Sequence, residues 1–161
     1  MARYEVESPV TLSVFDRLID ENPKQAGEPP LSRAESLRLL KIALKRDLEW
    51  LLNTRRNPDE LPPGLKEAER SFYNYGLPDI TSIGLSAVQE QNKLKRALEK
   101  TVSQFEPRIA ASRIVMEVLP TTNRGIRFHI QGLLRVDPSP VPVAFDTVLE
   151  LPNCNYSVKG E

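Results

Sequence analysis

The amino-acid sequence predicts an α+β domain in which N-terminal helices pack on a three-stranded antiparallel sheet. Two observations carry this expectation. Apolar residues recur at helical spacing through two long segments before Glu106, and beyond Pro107 the period changes to two. Helices first and strands last, with short turns between the strands, describe segregated layers rather than alternating βα units. A length of 161 residues suffices to bury a core without disulfides or metals. The expected organisation is a tail at 1–10, a single domain at 11–152 and a second tail at 153–161.

The first element is a short helix at 11–21, where Leu12, Phe15, Leu18 and Ile19 share a face and Asn22-Pro23 ends the run. A proline-rich linker follows to residue 31. Ser32 and Glu35 then fit a capping box that opens a helix reaching about Thr54. Its core stripe is Leu37, Leu40, Leu44, Leu48 and Leu51. Leu39, Ile42 and Trp50 fall away from that stripe, beside Arg46, and form a second apolar patch. Either another part of the chain covers this patch or a partner does. Residues 55–85 read as a long connection with a possible short helix around Leu65–Tyr73, and Phe72, Tyr73 and Tyr75 suggest that it packs. Ser86 and Gln89 open a second long helix with Leu94, Leu98, Val102 and Phe105 inward, stopped by Pro107.

Three strands follow. Residues 113–119 alternate around Ile114, Met116 and Val118, and Thr-Thr-Asn-Arg-Gly at 121–125 is a turn. Residues 126–136 place Phe128, Ile130, Leu134 and Val136 on one face, with Arg127, His129, Gln131 and Arg135 on the other. Gly132 marks a bulge. After a proline-rich turn at 138–142, Val143, Phe145, Thr147, Leu149 and Leu151 share a face.

Composition excludes several function classes. Lys+Arg and Asp+Glu both number 22, so there is no excess of positive charge of the kind a nucleic-acid surface needs. The one cysteine, Cys154, can form neither an intrachain disulfide nor a cysteine-rich zinc site, and the one histidine, His129, has no histidine partner for a triad or metal site. No run approaches the roughly 20 apolar residues that span a bilayer, and no signal-peptide core follows the N-terminus. The chain reads as soluble, cytoplasmic and without a cofactor. There is no glycine-rich phosphate loop. The enzymatic alternative is a lysozyme-like peptidoglycan hydrolase, which needs two acids facing each other across a cleft. Asp47 comes closest, and its neighbour Arg46 points first to a structural ion pair. A third reading, a free-standing binding module, needs an open pocket.

Glu106-Pro107-Arg108 stands apart. Glu106 follows a helix C-terminus, where the dipole disfavours negative charge. With Pro107 holding the backbone extended, Glu106 and Arg108 point the same way, as a fixed opposite-charge pair. That arrangement is either a local ion pair or a preorganised polar plug for a partner, because an arginine fork suits carboxylates and carbonyls.

The chain resembles a known family. Ser-Val-Phe-Asp-Arg-Leu-Ile-Asp-Glu-Asn-Pro at 13–23 and Arg-Asp-Leu-Glu-Trp-Leu-Leu-Asn-Thr-Arg at 46–55 look like segments of the TssE proteins. Tyr-Gly-Leu-Pro-Asp at 75–79, Phe-Glu-Pro-Arg-Ile at 105–109 and Phe-Asp-Thr-Val-Leu at 145–149 follow in the family's order. These are baseplate subunits of the type VI secretion system, related to the lysozyme-like wedge protein of contractile phages. The resemblance implies a small domain like the linking part of sheath subunits, with no lysozyme activity. It implies a place in the cytoplasmic wedge with TssF, TssG and TssK, at the inner face of the cytoplasmic membrane. It also implies nucleation of the TssB/TssC sheath by strand exchange at this protein's sheet. Glu106, Pro107 and Arg108 match the family's partner-binding motif, implied to contact the wedge's helical bundle.

Overall fold

The computed structural model describes residues 8–19, 24, 27, 30–59, 61–79, 88–119, 125–150 and 155–160. The chain forms two compact units, 1–44 and 45–161.

In the first unit, helix α1 (Val14–Leu18) is capped by Ser13, whose hydroxyl accepts from the Asp16 N–H at 3.1 Å and donates to the Asp16 carboxylate at 2.5 Å. It is shorter than the expected 11–21 helix, because Ile19 already has extended backbone. Its apolar residues Phe15, Leu18 and Ile19 are exposed. Helix α2 (Arg33–Asn53) begins in this unit. The Ser32 hydroxyl accepts from the Glu35 N–H at 3.2 Å, as the capping box predicts. The buried Ser36 hydroxyl accepts from the Val10 N–H at 2.9 Å, and Arg33 donates to the Ser8 carbonyl at 3.3 Å. Leu40 and Leu44 are buried and Leu37 is half-buried.

The second unit holds the end of α2, where Leu48, Leu51 and Leu52 are buried. Helix α3 (Lys66–Arg70) and a 3-10 turn at Phe72–Asn74 together fill the expected 65–73 helix. Tyr73 and Tyr75 are half-buried, but Phe72 is 90 % exposed. The tight turn carries the tyrosines inward and leaves Phe72 on the outside. Gly76 follows with φ of +101°, and a Cβ there would lie 2.2 Å from the Thr54 carbonyl oxygen. That close approach lets the Leu77 N–H bond Thr54 O and the Arg56 N–H bond Leu77 O, both at 2.8 Å. Helix α4 (Val88–Phe105) buries Leu94, Leu98 and Val102, with Phe105 half-buried. Its expected cap at Ser86 lies outside the described residues.

The sheet is an antiparallel meander of four strands in the order β1 (Ile109–Val118), β2 (Gly125–Leu134), β3 (Val141–Glu150), β4 (Asn155–Gly160). The expected three strands are therefore corrected to four. The extra strand comes from residues expected to lie beyond the sheet, and it is short, with Tyr156 and Val158 as its buried residues. Two inward side chains are too few to signal alternation in sequence.

Phe128, Ile130, Phe145, Leu149, Tyr156 and Val158 form the buried face, with Ile114 from β1. Residues 121–124 of the turn expected at 121–125, and Leu151, expected to face inward, lie outside the described residues. A bulge interrupts β1, where Ala110 pairs with Leu133 and Arg113 with Gln131, so two β1 residues oppose Gly132. Ala111 takes the left-handed conformation there, with φ of 51°. The bulge resets the inward–outward parity. Ile109 and Ile114, five residues apart, are both buried, and alternation becomes readable only after residue 112.

Candidate functional site

The site is built where α4 hands over to β1. The Glu106 N–H still closes the helix on the Val102 carbonyl at 2.9 Å, and the Ile109 N–H bonds the Glu106 carbonyl at 3.2 Å. Residues 106–109 thus form a tight turn with proline second, a position that suits its fixed φ. This corrects the expected extended backbone: the turn, rather than a strand, sets Glu106 and Arg108 side by side. The Arg135 N–H donates to the Arg108 carbonyl at 2.8 Å and ties the turn to the end of β2.

Within the turn the two side chains meet edge to edge. Arg108 Nε donates to Glu106 Oε1 at 2.6 Å and Nη2 donates to Oε2 at 2.5 Å, a two-pronged pair. The Glu106 side chain is only 5 % exposed, whereas Arg108 is 26 % exposed and Pro107 is exposed. The proline ring and the guanidinium therefore face outward, with the glutamate beneath.

A third residue joins them. Asp47, on α2, accepts from Arg108 Nη2 at 2.6 Å through Oδ2. Its other oxygen accepts from Arg46 Nε at 2.9 Å and Nη2 at 2.7 Å, so the ion pair expected with Arg46 is present. The Arg46 guanidinium lies 4.8 Å from the centre of the half-exposed Trp50 ring. The run Arg46–Asp47–Arg108–Glu106 alternates in sign and sums to no net charge. The Arg108 pKa is raised above its ordinary value, chiefly by the hydrogen bonds to Glu106, with Asp47 adding and burial opposing. Beside them Tyr75 packs edge-on against Phe105, ring centres 5.4 Å apart. Burial raises the Tyr75 pKa, and the charges of Asp47 and Glu106 raise it further.

Sequence reasoning brought out Glu106, Pro107 and Arg108 but missed Asp47 and Tyr75 as their neighbours. Asp47 and Arg108 are separated by 61 positions, and no local pattern joins them. Asp47 and Glu106 are two acids held by one guanidinium, and their oxygens are taken up by arginine donors. A separate cleft of about 200 Å³ is lined by Arg56, Glu69, Arg70, Lys100, Thr101 and Gln104 among others, with Glu69 its one carboxylate. Neither place offers the pair of acids across a cleft that glycoside hydrolysis requires.

His129 lies on the outer face of the sheet and meets Asp146 across β2 and β3, Nδ1 to Oδ1 at 2.5 Å. Of the second patch on α2, Ile42 and Trp50 are each 52 % exposed and Leu39 is half-buried. Cys154 lies outside the described residues. Among those described, no group of three or more His, Cys, Asp or Glu could hold a metal ion, and no helix is long and apolar enough to cross a membrane.

Residues 38–139, more than half of the chain, match the family model of "Baseplate wedge protein gp25". The matched segment contains both Asp47 and the 106–108 turn. No curated protein and no solved structure matches the chain.

Proposed function

The chain belongs to the family of baseplate wedge protein gp25, and on that premise we propose that it is the structural wedge subunit of a type VI secretion baseplate. In this reading it joins a TssF/TssG wedge, with TssK, to the TssB/TssC sheath on the cytoplasmic side of the membrane. It works as an adaptor and not as a hydrolase.

Glu106, Pro107 and Arg108 are the docking residues, and the observation that carries this is the rigid turn itself. It presents an exposed proline and a partly exposed guanidinium whose orientation is set before any partner arrives. Preorganisation of this kind lowers the entropic cost of association. The sheath contact is strand addition to the sheet, in which backbone hydrogen bonds supply affinity. The sheet's outer strands are β1 and β4. On β4 the Tyr156 N–H and carbonyl are bonded by the Asn53 side-chain amide at 2.8 and 2.9 Å. Part of the outer backbone of β4 is thus already occupied, and the proposal puts strand addition at β1.

The test is co-expression with the cognate TssF and TssG, comparing the wild-type chain with a Glu106→Ala/Arg108→Ala double variant. Removing Arg108 alone would strand a buried carboxylate, a change that costs about 3–5 kcal/mol. The double variant removes both charges and leaves Asp47 on Arg46. It is expected to fold and to lose capture of TssF and TssG. Capture equal to wild type would remove the docking role from this turn.

A further inference from the structure

We propose that Asp47 is a positioning residue of the docking site, holding the Arg108 guanidinium so that its Nη1 edge is the one offered to the wedge partner. The inference rests on the docking reading above.

A guanidinium has five N–H donors in a fixed plane. Nε spends its one hydrogen on Glu106, and Nη2 spends one on Glu106 and one on Asp47. Among the described residues the two hydrogens of Nη1 have no acceptor. Glu106 fixes one edge of the plane, but it lies in the same turn as Arg108 and moves with it. Asp47 comes from a different element and ties the plane to α2. It is itself held, because Arg46 grips its other oxygen with two donors. The partly exposed guanidinium therefore has one committed side and one uncommitted nitrogen. Its partner is a hydrogen-bond acceptor, a carbonyl or carboxylate oxygen, that meets Nη1 beside the exposed ring of Pro107.

A lysine at 108 would keep the charge but lose the plane. The experiment measures binding of the purified full chain to purified TssF–TssG, with thermal stability in parallel, for Asp47→Ala, Asp47→Asn, Asp47→Glu, Arg108→Lys and the Asp47→Ala/Arg108→Lys combination. Expected is about a tenfold rise in Kd for Asp47→Ala and for Arg108→Lys, with most of the affinity restored by Asp47→Glu. In the Arg108→Lys background, where no plane remains to orient, Asp47→Ala adds less than about twofold. Should Asp47→Ala fail to fold, the isosteric Asp47→Asn, which keeps one acceptor oxygen and loses the charge, replaces it in both comparisons.

An Asp47 variant that melts earlier yet binds as wild type would overturn the proposal, since Asp47 would then be structural only. Fully additive losses for the two positions would also overturn it, because Asp47 would then act without Arg108. Wild-type binding by Arg108→Lys and by the Glu106→Ala/Arg108→Ala variant would defeat the docking reading itself, a result distinguishable from the other two.

Discussion

Thr147 sits in the middle of β3 with its side chain fully buried between Phe128 on one neighbouring strand and Val158 on the other. Its hydroxyl has no hydrogen-bond partner among the described residues. A buried hydroxyl without a partner retains the cost of leaving water. Thr147→Val keeps the branched shape and removes that cost, so it is expected to stabilise the chain by about 1 kcal/mol in chemical denaturation. Tyr75 makes a different prediction. Its pKa is raised above 10.0 in the folded protein, by burial first and then by Asp47 and Glu106. The neutral phenol is favoured by the fold, so this contribution is complete below the unfolded value of 10.0 and is lost as pH rises through the higher folded value. Tyr75→Phe is expected to flatten the decline in stability above pH 10, measured by denaturation across an alkaline series. A variant as alkali-sensitive as wild type would place that dependence on other groups.

At the scale of elements, the bulge in β1 explains what could and could not be read in advance. Gly132 was legible as an irregularity, but the extra residue lies on the opposite strand, at Ala111–Ser112. A Cβ on Gly132 would stand 2.3 Å from Cγ2 of the buried Ile109 and 3.2 Å from the Ala110 carbonyl oxygen. Gly132→Ala must therefore push β1 away, and it is expected to cost about 1–3 kcal/mol by denaturant titration. The core stripes of α2 and α4 were legible because a 3.6-residue period repeats over several turns. The inward positions of β2 and β3 were legible because each strand carries four or more of them. Strand β1 was legible only after its bulge, and β4 was too short to be legible at all. The candidate site divides in the same way. Its turn is three consecutive residues of unusual type, whereas Asp47 and Tyr75 reach it only through the tertiary fold.

For the molecule as a whole, equal numbers of acidic and basic side chains leave no net charge to attract one class of partner over a distance. At the turn, too, four charges cancel in sequence along Arg46, Asp47, Arg108 and Glu106. In the proposed docking mode the weight of assembly falls on shape: a proline ring, one nitrogen of a guanidinium, and the backbone of a sheet edge. One consequence concerns acidity. Arginine is protonated across the whole range of pH that a cell meets, and its two carboxylate neighbours bind that proton still more firmly. A docking site that depends on this side chain keeps its positive charge as pH falls. Drops in local pH, of the kind that trigger histidine-based devices, would leave that charge in place.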